Sequence, residues 1–221
     1  MTATNFGPQY CETPAVGGGF PIEPANTLSS AVIVLYAVAA LVLVLRRAPR
    51  DVTLAVACTL VIVNGVGSIL WHGLRTPWAL ALDALPALVF LVIVAFLWAR
   101  RVAPHWQAIA MTAALLVLPA ILFRADFGLP TASRLSAGAA VIALAGVWLV
   151  ARTLALSRRT AMIGGAALVC GVAALVFRLL DGRACAVIPI GTHFLWHIFL
   201  SSAAFLCVLT LLRLRAPAAP A

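Results

Sequence analysis

Apolar residues in this chain come in long unbroken runs of about 20, and polar residues cluster where the runs stop. Seven runs are bounded by Arg, Pro and Gly: 26–45, 52–72, 79–99, 107–123, 134–152, 161–180 and 191–212. Each is long enough for a membrane-crossing helix, which needs about 20 residues. None alternates polar with apolar positions, so a transmembrane barrel is excluded. The short connections predict antiparallel neighbours. The pattern therefore predicts an all-α integral membrane protein, a seven-helix bundle over 26–215. An extracytoplasmic segment, 1–25, precedes it, and a disordered tail, 216–221, follows. Residues 1–25 are polar and rich in Gly and Pro, which is not the pattern of a signal peptide. The first span is expected to serve as the targeting signal.

Composition agrees. Of the 221 residues, 64% are hydrophobic and only 10% are charged, against about 25% charged in a soluble domain. The net charge of +9 does not indicate nucleic acid, because the arginines stand singly or in pairs at the ends of apolar runs. Their distribution predicts orientation. Arg46, Arg47, Arg50, Arg100, Arg101, Arg152, Arg158, Arg159, Arg213 and Arg215 fall on one side, which marks the cytoplasm. Arg75, Arg124, Arg134, Arg178 and Arg183 fall on the other. The N-terminus is then outside and the C-terminus inside. Glu12, Glu23, Asp83, Asp126 and Asp181 gather at the outer face, and Asp51 alone lies inside. The chain is rich in Ala and Arg and has no lysine, which points to a bacterial gene and an inner membrane. The missing lysine also excludes a retinal Schiff base, which needs an amine. No mid-membrane acid or broken-helix pair points to a transporter. Nothing in the sequence fixes an oligomeric state.

Three of the four histidines share one depth. His72 ends the second span, and His193 and His197 open the seventh. Four residues apart on a helix, His193 and His197 share one face, the two-ligand geometry of helical zinc sites. His72 supplies a third imidazole from another helix, which leaves one coordination position open, as catalytic zinc sites require. Ser68 lies one turn before His72 on the same face, and Asp83 lies at the start of the third span at the same level. The alternative is that each histidine is simply hydrogen-bonded inside the bundle. The coincidence of three histidines, an Asp and a Ser at one level favours a metal. His105 reads as an ordinary cytoplasmic loop residue. Cys58, Cys170 and Cys207 lie mid-span and read as packing residues. Trp71, Trp78, Trp98, Trp106 and Trp196 read as interfacial anchors, with Trp71 and Trp196 also placed to line a cleft. Gly65 and Gly67 read as close-packing positions of the second span.

Three blocks carry a resemblance. They are Tyr10-Cys11-Glu12 with Glu23-Pro24-Ala25-Asn26-Thr27-Leu28-Ser29; Asn64-Gly65-Val66-Gly67-Ser68-Ile69-Leu70-Trp71-His72 with Leu82-Asp83-Ala84-Leu85-Pro86; and Phe177-Arg178-Leu179-Leu180-Asp181-Gly182-Arg183-Ala184-Cys185 with Gly191-Thr192-His193-Phe194-Leu195-Trp196-His197. The chain resembles the alkaline ceramidases, within a larger group of seven-span hydrolases that includes the adiponectin receptors. The resemblance implies zinc on His72, His193 and His197, with Asp83 beside the activated water and Ser68 assisting. It implies a disulfide between Cys11 and Cys185, both of which the topology places outside the cytoplasm, where a disulfide persists. It implies cleavage of the amide bond of ceramide or a related N-acyl lipid, releasing a fatty acid. The family also binds calcium through its acidic N-terminal segment, which Glu12, Glu23 and Asn26 match. Gln9 and Pro14 stand where eukaryotic members carry an acid and an amide. Calcium takes six to eight oxygens and the chain offers fewer, which counts against it; Glu23 and Asn26 then read as a cap on the first span. Competing readings are a receptor-like or structural protein with little or no turnover, and a zinc hydrolase of an N-acyl amino acid lipid or an ester.

Overall fold

A computed structural model of the chain describes residues 6–14, 19–124 and 131–215. Seven helices and no strand occur among them: α1 Pro24–Arg47, α2 Val52–Leu74, α3 Pro77–Val102, α4 His105–Arg124, α5 Thr131–Leu154, α6 Arg158–Ala184 and α7 His193–Arg213. Most of these helices overrun the apolar runs by a few residues at each end. Pro24 and Pro77 open α1 and α3, where a proline's missing N–H and fixed φ suit a first turn. Arginine extends the other ends, since it is a good helix former. The exception is α7, which begins two residues later than its apolar run because Gly191 has φ +67°. His105 opens α4 and is not a loop residue.

Six of the helices are long and apolar enough to cross a membrane, and α4 adds a shorter apolar stretch, His105–Ile121. Burial is inverted relative to a water-soluble protein. Leu28, Leu35, Leu144 and Val169 are exposed, whereas Glu23, Asn26, Ser30, Ser68 and His72 are fully buried. Apolar surfaces of that kind suit a hydrocarbon solvent, and polar side chains then gather where the protein can satisfy them. The chain is an all-helical integral membrane protein. The expected tail 216–221 and Asp126 lie outside the described residues.

The chain forms two compact units. The first comprises Met1–Leu91 and Val169–Phe205. Within it α1 and α2 pack along their length, and two glycines set how closely α2 approaches its neighbours. A Cβ on Gly65 would lie 3.0 Å from the Val34 backbone nitrogen of α1. A Cβ on Gly67 would lie 2.6 Å from the Asp83 nitrogen and 2.6 Å from the Leu82 oxygen of α3. Backbone thus meets backbone, the use membrane helices make of small residues. The N-terminal segment is tied down as well. Ile22 N donates to Gly73 O (3.1 Å), Glu23 N donates to His72 O (3.0 Å), and Cys11 is disulfide-bonded to Cys185.

The second unit comprises Val92–Leu168 and Leu206–Ala221. Here Trp98 is no interfacial anchor. It is 4% exposed and donates its indole N–H to Thr153 Oγ1 at 2.8 Å, with Gly164 leaving room for its ring. Arg101 donates to the Leu211 carbonyl at 2.6 Å.

Candidate metal centre

α2 carries its histidine in its last turn, and the helix ends at Arg75, whose N–H bonds Trp71 O at 2.8 Å. Arg75 is left-handed, with φ 54°, a conformation that costs a non-glycine residue about 1 kcal/mol. Its side chain is anchored from three directions. Nη1 lies 3.2 Å from Glu23 Oε1, Nη2 donates to Phe6 O at 2.9 Å, and the guanidinium lies 4.1 Å from the Trp71 ring centre.

α7 is started by Asp181. Its Oδ1 accepts from Thr192 N (2.7 Å) and His193 N (2.9 Å), the preferred placement of a carboxylate at a positive helix end. Asp181 Oδ2 accepts from Cys11 N at 3.1 Å. A Cβ at Gly191 would meet the Asp181 carboxylate and lie 2.8 Å from Cys11 Sγ. A glycine is therefore needed there twice, for its φ and for its space. His193 becomes the first residue of α7 and His197 follows one turn later on the same face.

The three imidazoles converge. Ring centres lie 5.2 Å apart for His72–His193, 4.9 Å for His72–His197 and 4.7 Å for His193–His197. One ring nitrogen from each lies within 4.8 Å of the other two. All three are buried.

The hydrogen bonds of His72 and His197 fix which of their ring nitrogens is left free. His72 Nδ1 lies 2.5 Å from Glu23 Oε2. With that carboxylate ionised, Nδ1 carries the proton and Nε2 presents a lone pair. His197 Nδ1 lies 2.8 Å from Ser29 Oγ, and that hydroxyl donates to Asn26 O at 3.1 Å. A hydroxyl has one proton, so Ser29 accepts from Nδ1–H, and His197 Nε2 is likewise free. His72 Nε2 and His193 Nδ1 are buried without a hydrogen-bond partner. Unpartnered buried nitrogens cost free energy, and a cation held by the trio would satisfy His72 Nε2. The donor set fits a divalent ion of the zinc kind, which takes neutral imidazole.

Asp83 and Ser68 sit beside one another. Asn64 Nδ2 donates to the Asp83 carbonyl and lies 3.3 Å from its Oδ1, and the Ser68 hydroxyl bonds the same carboxylate. Ser68 Oγ is also 3.0 Å from Ser30 Oγ. The contact at Gly67 is what brings these two side chains to one level.

The N-terminal acids have other work than the sequence predicted. Glu23 occupies the N-cap position of α1 without capping it. Its carboxylate is drawn instead to His72, to Arg75 and to Thr13 Oγ1 (2.5 Å). Burial pushes its pKa above the usual carboxylate range, against the pull of Thr13 and Arg75. The cap comes from Glu12, whose two oxygens accept from Ala25 N (2.6 Å) and Asn26 N (2.9 Å). Asn26 is fully buried.

Several side chains at the centre were not singled out for it. Tyr10 stacks on His193 with ring centres 4.0 Å apart and 29° between planes, and lies 5.1 Å from His72. Burial raises its phenol pKa, opposed by Arg178. Trp71 is fully buried against Tyr10, Arg75 and Phe6, so it is a core residue and not an interfacial anchor. Ser29 and Glu23 orient histidines across 168 and 49 residues of chain, which no local pattern shows.

A protein-family model described as Ceramidase matches residues 8–219. No curated protein matches the chain significantly.

Proposed function

The chain belongs to the ceramidase family, and from that premise we propose that it is a zinc-dependent intramembrane hydrolase. It cleaves the amide bond of ceramide or a related N-acyl lipid and releases a free fatty acid. The observation that carries the reading is the convergence of three buried imidazoles, each offering one nitrogen within 4.8 Å of the others.

His72, His193 and His197 would hold the ion. When bound, a divalent zinc supplies Lewis acidity, which polarises a carbonyl and acidifies water. The rest of the chemistry falls to the protein. Asp83 accepts a proton from the attacking water and returns it to the leaving nitrogen as the C–N bond breaks. Asn64 keeps the Asp83 carboxylate pointed to one side, and Ser68 offers its hydroxyl to the developing oxyanion. Glu23 and Ser29 hold the imidazoles of His72 and His197 in the tautomer that leaves Nε2 free. Tyr10 covers His193 and keeps water from that side of the ring.

We place this centre toward the extracytoplasmic leaflet of an inner membrane, with the N-terminus outside and the C-terminus in the cytoplasm. The arginine distribution supports that orientation. Scissile bonds of membrane lipids lie at headgroup depth, near helix ends, and the three histidines lie near helix ends. The experiment is fatty-acid release from ceramide and from a panel of N-acyl lipids by purified protein and by His193→Ala. Release that depends on His193 supports the reading; equal release by both proteins removes it.

A further inference from the structure

Among the described residues, Arg178 is a cation beside the candidate metal centre that no carboxylate pairs with directly. It lies in the last two turns of α6, half-buried. Its guanidinium is 4.7 Å from the Tyr10 ring centre, and that ring stacks at 4.0 Å on His193.

The neighbouring acids are already engaged. Glu23 is held by His72 and Arg75. Asp181 accepts from the amides of Thr192, His193 and Cys11. Glu12 caps α1. Asp83 is held by Asn64 and Ser68. Neither the His72–Glu23 nor the Arg75–Glu23 ion pair includes Arg178. A half-buried arginine that no carboxylate pairs with directly is a candidate for holding a charged ligand group.

Resting on the hydrolase reading above, we infer that the substrate supplies the missing anion: an N-acyl amino acid lipid, whose carboxylate Arg178 holds while the amide lies at the metal centre. The acyl side of such a lipid is hydrocarbon, so the charge must come from the amine side. Guanidinium matches a carboxylate with two parallel N–H donors. The hydroxyl groups of ceramide would leave the charge unmatched. In the reaction, water oxygen bonds to the acyl carbon and the C–N bond breaks. Both water protons end on the amine nitrogen, and the products are a fatty-acid carboxylate and a zwitterionic amino acid.

The test compares N-palmitoylglycine with N-palmitoylethanolamine, equal in chain length and differing in the anionic group. Binding is measured on the full-length Asp83→Asn protein, which holds substrate without turning it over. The expected result is about 10- to 100-fold tighter binding of the glycine lipid, the range for a hydrogen bond to a charged group. Adding Arg178→Met closes that gap by weakening the glycine lipid alone, and Arg178→Lys restores part of it. Equal affinity for the two lipids, or equal weakening of both by Arg178→Met, overturns the inference. Hydrolysis by the unsubstituted protein is followed in parallel. A binding preference with no His193-dependent release from ceramide or any lipid of the panel upholds the anion site and sinks the hydrolase reading. Cleavage of both with no binding preference does the reverse.

Discussion

Replacing Glu23 with glutamine perturbs two things that can be measured apart. The carboxylate is fully buried and bridges His72 Nδ1 at 2.5 Å and Arg75 Nη1 at 3.2 Å. An amide has one acceptor oxygen and an NH2 group, so it cannot accept from both partners. In Glu23→Gln, Arg75 keeps a buried charge with no counter-ion, and breaking a buried pair in this way costs about 3–5 kcal/mol. His72 also loses its orienting acceptor, which for metal-bound histidines lowers affinity about 10- to 100-fold. Arg75→Met separates the effects. It removes the ion pair but leaves the Glu23–His72 bond, so stability falls while zinc affinity stays within about threefold, less than loss of that acceptor produces. The double variant Glu23→Gln/Arg75→Met removes the stranded charge, so its stability loss is smaller than the sum of the two single losses. Thermal unfolding in detergent measures stability, and zinc competition against a chelating dye measures affinity. The reasoning fails if Glu23→Gln binds zinc as the parent does. It also fails if Arg75→Met weakens zinc binding as much as Glu23→Gln, since Glu23 would then act only through general packing.

Ser29→Ala removes the partner of His197 Nδ1 and should lower zinc affinity about tenfold, with a smaller effect on unfolding than Glu23→Gln, by the same two assays. Gly67→Ala places a methyl group 2.6 Å from the α3 backbone at Asp83. It should destabilise by about 1–3 kcal/mol and reduce fatty-acid release, because the helices must separate where Ser68 meets Asp83; unchanged melting and activity would contradict this. Cys11→Ser cuts the tie from the N-terminal segment to Cys185 and should destabilise by about 2–5 kcal/mol, with zinc affinity also falling as Tyr10 loosens from His193. Reductant should lower the melting temperature of the parent protein but not that of Cys11→Ser.

The helices and the histidine trio could be read from the sequence because both depend on local spacing. Long apolar runs mark the helices, and the four-residue interval of His193 and His197 needs only a helix to become one face. What could not be read depends on contacts between distant segments. Glu23 looks like a capping residue by position. It reaches His72 only because the backbone of Ile22 and Glu23 pairs with the end of α2, and the cap passes to Glu12 from outside the helix. Arg178 and Arg75 served in the sequence as markers of membrane side. Nothing local distinguishes an arginine that meets headgroups from one turned toward Tyr10 or locked onto Glu23. Trp71 and Trp98 fall near span ends, where tryptophan favours the interface, but their rings turn inward onto Arg75 and Thr153. Trp78 and Trp106, by contrast, are exposed.

The central claim is that α2 and α7 together hold one divalent ion through three histidines. Elemental analysis of protein purified without added metal tests it directly, on the parent and on His72→Ala and His193→Ala. The account predicts close to one zinc per chain in the parent and near-complete loss in each variant, with both variants still folded. A full complement of zinc in either histidine variant would contradict it.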